Sequence, residues 1–206
     1  MYVGLFVVRA GLNVTFLHVP GETPDQVAVW LPDRQVLLPA DNIYRAFPNL
    51  YAIRGTAARD TVVWADSLRA LRHLNAEHLV PSHTRPVSGR QAVRDLLLVY
   101  ESAIRFVHDQ TVRRMNEQRY PDDIARLVRL PATLAGHAHL QEFYGRVDWS
   151  AKGVYDGYNG WFSGDPVELL PLSPTERARK MVDVFGRDRH VYNPTFTLDV
   201  TSEHFV

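Results

Sequence analysis

Between Arg90 and Gln118 apolar residues recur in steps of three and four: Val93, Leu96, Leu97, Tyr100, Ile104, Val107, Thr111 and Met115, with Arg, Asp, Glu and Gln between them. A strand turns alternate residues to opposite faces and gains nothing from such spacing, so this stretch predicts one long amphipathic helix. The chain before it is punctuated differently. Residues 3–8, 13–19, 27–31 and 35–39 are short apolar or alternating runs separated by Gly, Pro, Asp and Asn, which predicts consecutive strands. Pro32-Asp33-Arg34-Gln35 reads as a turn joining two antiparallel strands. At the Pro86-Val87-Ser88-Gly89 loop the chain therefore passes from a part rich in strands to a helical one.

A first helix is expected from Asp60, with Thr61, Val62 and Trp64 opening it, Leu68, Leu71 and Leu74 continuing its apolar face, and Arg72-His73 near its end. Past the long helix, Tyr120-Pro121-Asp122-Asp123 restarts the chain with proline and acids in a first turn, and Ile124, Leu127, Val128 and Leu130 predict a short helix stopped by Pro131. Thr133 to Tyr144 is read as a further helix. Arg146 to Pro174 mixes glycines with Trp149, Tyr155, Tyr158, Trp161 and Phe162, a composition that fills volume or stacks on a ligand. Thr175-Glu176-Arg177-Ala178 starts a last helical run to Phe185, followed by a basic patch at Arg187-Asp188-Arg189-His190 and a short alternating end beyond Tyr192.

Bulk properties narrow the function. With 206 residues, 46% of them hydrophobic, the chain can bury a core and fits one or two domains. Lys plus Arg and Asp plus Glu are both 23, so no charge excess argues for nucleic acid or an anionic membrane surface. There are no cysteines, which excludes disulfides and thiolate metal sites and leaves His and carboxylate as the only metal ligands. The apolar run at Val3 to Val8 lacks a basic lead and is closed by Arg9, too short for a signal peptide or a membrane span. The location is left open; with no signal peptide or transmembrane segment expected, the chain as it stands reads as cytoplasmic.

Three polar groups follow strand-like runs and end in loops. Glu22 follows Leu17-His18-Val19-Pro20-Gly21, Asp41 follows Val36-Leu37-Leu38-Pro39-Ala40, and His83 follows Leu79-Val80-Pro81-Ser82. Oxygen and imidazole ligands on such loops suit a hydrolytic divalent ion that keeps a water in an open position. Taken singly, each is more ordinarily a solvated turn residue or a cap. His73 and His78 are read as dipole-facing or solvated side chains.

The run His18-Val19-Pro20-Gly21-Glu22-Thr23-Pro24, then Asp41-Asn42, then Asn49-Leu50-Tyr51-Ala52-Ile53-Arg54-Gly55, resembles the alkyl sulfatases of the metallo-β-lactamase superfamily. Ser82-His83, His108-Asp109-Gln110-Thr111, Tyr144-Gly145, Lys152, Val154-Tyr155 and Gly160-Trp161-Phe162 extend the likeness in order over roughly residues 16 to 175. The resemblance implies an α/β (α+β) fold: a partial metallo-β-lactamase-like strand and helix layer, then an all-helical dimerisation domain. The corresponding ranges are 1–89 for the C-terminal part of the lactamase-like domain, 90–175 for the helical domain and 176–206 for a tail.

It also implies roles. Glu22, Asp41 and His83 match metal ligands, Asp41 standing where members usually have glutamate. Arg54 and Asn49 match the residues that hold the sulfate group, and Tyr155 or Tyr158 could offer it a hydroxyl. Arg59 and Trp149 depart from the pattern, standing where members commonly carry histidine. The superfamily's His-x-His-x-Asp-His run does not occur in this sequence, so the two zinc ions of the complete family site become one at most here, weakly held. The expected function is metal-dependent hydrolysis of alkyl sulfate esters such as dodecyl sulfate, or a truncated relative of such an enzyme. The alternatives are a non-catalytic dimerisation fragment and an apolar anion-binding module. A homodimer is expected, with the apolar face of residues 90–118 buried between two subunits because it is longer than one small domain needs.

Overall fold

The structure, a computed structural model, describes residues 4–185. The basic patch expected at Arg187–His190 and the alternating end beyond Tyr192 lie outside the described residues. Two compact units divide the chain after Asp165.

The first unit opens with β1 (Gly4–Arg9), β2 (Leu12–His18), β3 (Val27–Leu31) and β4 (Val36–Leu38), each antiparallel to the one before. A single 3-10 turn, Pro32–Arg34, joins β3 to β4, and Gln35 leaves it in the left-handed region at φ 52. Helix α1 (Thr61–His73) then carries the chain across so that β5 (His78–Leu79) pairs parallel to β4, and β6 (Val87–Ser88) closes the sheet antiparallel to β5. The order β1-β2-β3-β4-β5-β6 is an open sheet. Since β2 and β4 both run against β3, and β5 runs with β4, the C-terminal ends of β2, β4 and β5 all emerge at the same end of the sheet. Those ends carry the loops of Glu22, Asp41 and His83.

Asp60 caps α1, its Oδ1 accepting the Val63 backbone N–H at 2.9 Å. The long helix is α2 (Arg90–Asn116), followed by α3 (Pro121–Leu127), α4 (Ala132–Ala135) and α5 (Val147–Asn159). One continuous core joins sheet and helices: Ala28, Leu37 and Leu79 meet Trp64, Leu68 and Leu71 of α1, then Leu97, Tyr100 and Ile104 of α2, then Ile124 and Ala151. The apolar face of α2 is covered within the chain, with Val93, Leu96, Leu97, Tyr100, Ile104, Val107 and Thr111 buried, chiefly against α1 and α5. That overturns its expected role between subunits. A helix this long finds partners in its own chain, which periodicity alone does not reveal.

Two helical readings also change. Thr133 to Tyr144 is not a helix, since α4 ends at Ala135 and the following segment pairs with another loop. Phe47 donates its N–H to the Gln141 carbonyl at 2.8 Å, and Gly145 donates to the Phe47 carbonyl at 3.1 Å. Conversely, the glycine-rich stretch holds α5. Gly153 is placed where a Cβ would run into the Tyr51 ring, so the glycine that disguises this helix in sequence is what lets it pack on the 47–51 loop. Gly145 is tighter still, because a Cβ there would meet the Pro48 carbonyl, a backbone group with no rotamer to yield. We expect Gly145→Ala to lower stability by about 1–3 kcal/mol, the usual cost of overpacking. An unchanged urea midpoint would show that the loop gives way freely.

The second unit is described over residues 166–185. Its helix α6 (Pro174–Phe185) begins with a reciprocal cap: Ser173 Oγ accepts the Glu176 N–H at 3.3 Å, and Glu176 Oε2 accepts the Ser173 N–H at 3.1 Å. The Ser173 hydroxyl also donates to that oxygen, holding the Glu176 carboxyl below its usual range. Among the described residues no helix is long and apolar enough to cross a membrane.

Candidate active site

The end of the sheet gathers most of the expected residues, though not in the expected grouping. Asp41 and His83 come together, His83 Nε2 lying 3.3 Å from Asp41 Oδ1. That oxygen is buried and receives no hydrogen bond, so it keeps a lone pair free for a cation. Glu22 is engaged elsewhere. Arg59 Nη1 donates to Glu22 Oε1 at 3.0 Å, in an ion pair whose side chains are only 7% and 11% exposed. The same nitrogen donates to the Asn49 carbonyl. Tyr144 lies with its hydroxyl 3.4 Å from Glu22 Oε1, brought there by the pairing of residues 141–145 with the 47–49 loop.

Asn42 fastens this cluster from below. Fully buried, it donates through Nδ2 to the Val19 carbonyl at 2.6 Å and accepts the Glu22 N–H on Oδ1 at 3.3 Å, while its own carbonyl takes the Trp64 indole N–H at 3.2 Å. Tyr44 accepts the Asn49 N–H on its hydroxyl at 2.7 Å and meets the Tyr100 and Tyr144 rings edge-on. Burial, helped by the nearby Glu22 charge, pushes the Tyr44 phenol far above its usual range. Burial likewise raises the Glu22 carboxyl; Arg59 pulls it back and Asp41 pushes it up further. Glu22 thus feels the Asp41 charge.

Arg54 sits exposed in the loop after Leu50, and among the described residues it makes no hydrogen bond or ion pair. Asn49, by contrast, is buried and pinned through both backbone groups. The two tyrosines of α5 lie apart from this network: Tyr155 donates to the Ser163 carbonyl at 2.9 Å, and the Tyr158 hydroxyl meets His108 Nε2 at 2.8 Å, with His108 Nδ1 2.7 Å from Asp109. None of their hydrogen bonds reaches Arg54 or Asn49.

For a metal the fit is partial. Asp41 and His83 are of the right chemistry and adjacent, and the orphaned Asp41 oxygen is the kind of atom an ion would satisfy. Among the described residues, however, no three His, Cys, Asp or Glu side chains are grouped to hold one. The residues present do not by themselves make a metal site.

Comparison with known proteins decides the family. The metallo-β-lactamase superfamily model matches residues 3–83, and the alkyl sulfatase dimerisation model matches residues 120–196. A linear primary-alkylsulfatase of Pseudomonas sp. is 47% identical over 183 residues, covering 87% of this chain and 35% of that protein. The chain belongs to the alkyl sulfatase family of the metallo-β-lactamase superfamily. An alkyl/aryl-sulfatase of Saccharomyces cerevisiae is 32% identical over 180 residues, 85% of this chain and 28% of its own length. Within the family, the solved structure of a stereoselective inverting sec-alkylsulfatase from Pseudomonas sp. superposes with a TM-score of 0.84 at 29% identity, over 89% of this chain and 30% of that one. The chain spans about a third of the length of the curated relatives it matches.

Sequence reasoning singled out Glu22, Asp41, His83, Asn49 and Arg54 but missed Tyr44 and gave no holding role to Tyr144 and Asn42, which stood only within the motifs of the likeness. Asn42 had a signal in its place directly after Asp41. Tyr144 had one in the Tyr144-Gly145 pair of the likeness, whereas Tyr44 had none, since an aromatic in a loop looks the same whether it packs or positions.

Proposed function

We propose that the chain forms part of a hydrolase of alkyl sulfate esters, with dodecyl sulfate-like substrates. What carries this reading is the common end of the sheet at which the Glu22, Asp41 and His83 loops emerge beside the Asn49–Arg54 loop, together with the likeness to the linear primary-alkylsulfatase. In this reading residues 1–89 are the C-terminal part of the lactamase-like domain, 90–175 the helical dimerisation domain and 176–206 a tail. Arg54 takes two sulfate oxygens with its planar guanidinium, Asn49 lies beside it, and the alkyl chain lies against aromatic side chains. Tyr158 is the better placed of the two tyrosines to exchange a proton, because its hydroxyl meets an imidazole, whereas Tyr155 is committed to a carbonyl. Zinc is the proposed cofactor. Asp41 and His83 offer it fewer ligands than a closed tetrahedral site requires, so binding is weak and to one ion.

His83→Ala should therefore abolish zinc bound by the chain, whereas His73→Ala, whose ring is tied to the Arg69 carbonyl at 2.7 Å, should leave it intact. Equal losses, read by atomic absorption after dialysis, would remove the assignment of His83.

A second reading, a dimerisation and interaction module without chemistry, is favoured by one observation: Arg59 already neutralises Glu22. Turnover of dodecyl sulfate by the purified chain separates the two. Both readings share a homodimer, and light scattering should give twice the 23.5 kDa chain mass. With the α2 face used internally, the paired surface is sought among exposed apolar residues of the matched dimerisation stretch such as Phe143 and Trp161. A monomer at high concentration would exclude the homodimer.

A further inference from the structure

His108 and Asp109 lie side by side on α2, and Tyr158 meets them from the last turn of α5. The three side chains form a line. His108 Nδ1 lies 2.7 Å from Asp109 Oδ1, and His108 Nε2 lies 2.8 Å from the Tyr158 hydroxyl. An ionised carboxylate only accepts, so in the neutral ring Nδ1 carries the proton, Nε2 is left as the acceptor and Tyr158 must donate. The exposures differ in the sense a nucleophile requires. The His108 side chain is 14% exposed and Tyr158 is 60% exposed, so the base is sheltered while the phenol is reached from solvent. Asp109 stands largely in water, and what it supplies is the tautomer more than a strong field.

We propose that Tyr158 is a nucleophile that takes an acyl group from activated aryl esters, with His108 as its general base and Asp109 as the residue that positions the imidazole. A nucleophile, a base within hydrogen-bond reach and a third group that orients the base are the parts such a step needs. Tyr158 Oη attacks the ester carbonyl carbon while its proton passes to His108 Nε2. The bond from that carbon to the aryl oxygen then breaks, and a phenolate leaves. The products are an O-acyl tyrosine and an imidazolium held against Asp109, which returns its proton to the phenolate or to water. Aryl esters are the class because a phenol expels only a leaving group of comparable or weaker basicity, which an alkoxide is not. The inference goes beyond alkyl sulfate hydrolysis and does not rest on it.

The test exposes the purified full chain briefly to 4-nitrophenyl acetate and measures acetylation of each tyrosine by mass spectrometry of its peptides. Tyr120, 50% exposed and outside the relay, is the reference within the same molecule. Tyr158 should be acetylated at least about tenfold faster than Tyr120, a modest part of what a positioned general base contributes. In His108→Gln, whose amide keeps a hydrogen bond to the phenol without the basicity, the ratio should fall to near one while the Tyr120 rate is unmoved. Asp109→Asn should fall between the two, because an amide no longer dictates the tautomer. A smaller ratio in the wild-type chain, or one that His108→Gln leaves unchanged, overturns the proposal, and one that Asp109→Asn leaves unchanged overturns the role of Asp109. Should His108→Gln fail to fold, the wild-type chain in denaturing urea takes its place: the excess at Tyr158 should disappear, and an excess that survives unfolding overturns the proposal. Dodecyl sulfate turnover does not enter this readout, so a failure of the alkyl sulfate reading leaves it intact.

Discussion

Glu101→Ala is expected to cost about 3–5 kcal/mol of folding stability, the usual consequence of removing one member of a buried ionic cluster. Glu101 lies on α2 with its side chain 5% exposed, and it receives Arg69 Nε at 2.8 Å and Arg72 Nη2 at 3.2 Å from α1, with Arg105 Nε at 3.5 Å one turn along its own helix. Asp66 binds Arg105 and lies 3.7 Å from Arg69. One carboxylate thus ties together the helix pair that supports the sheet. The Nε atoms of Arg72 and Arg105 are buried without a hydrogen bond, so the Glu101 charge, joined by Asp66 at Arg105, offsets their burial. Arg69 is half exposed and can turn to water, which argues for the lower end of the range. Urea unfolding at constant slope reads the loss. Glu101→Met/Arg72→Met should recover part of it, because packed apolar side chains replace buried charge at little cost. A single-variant loss below about 1 kcal/mol would show that the cluster is solvated in effect.

Arg54→Lys is expected to lower kcat/KM for dodecyl sulfate by about one to three powers of ten, the scale of a single charge-assisted hydrogen bond lost from a reacting oxyanion. Folding does not confound this test. Arg54 is exposed and unpaired among the described residues, so its replacement leaves folding stability unchanged. A fall in turnover can then be assigned to the sulfate and not to a loosened fold. A lysine carries the same charge on a single nitrogen and cannot present two parallel donors to two oxygens. Turnover unaffected by the substitution would make Arg54 a plain surface arginine, and no turnover by the wild-type chain would favour the module without chemistry.

The strands and most helices were legible in advance because their signals are local. The expected runs 3–8, 13–19, 27–31 and 35–39 lie on β1 to β4, and Asp60 marks the start of α1. Where readings failed, a distant segment had intervened. Residues 133–144 lost their helix to pairing with Phe47, and α5 was hidden by glycines, of which Gly153 allows the close approach to Tyr51. The likeness that named the family was also legible, since it rests on short motifs in a fixed order.

By itself, then, the sequence determined that Glu22, Asp41 and His83 each follow a strand-like run and end in a loop, whereas the strand pairing brought those loops to one end of the sheet. Only the tertiary structure decided how they are partnered. Glu22 is claimed by Arg59, 37 residues away, and approached by Tyr144, 122 residues away, while Asp41 is left to His83. It likewise decided that the α2 face is covered by α1 and α5 of the same chain and is not left for a second subunit. The physical reason is the same in both cases. Periodicity and turn chemistry act over a few residues, whereas the partner of a buried charge or an apolar stripe is whichever group the folded chain brings closest.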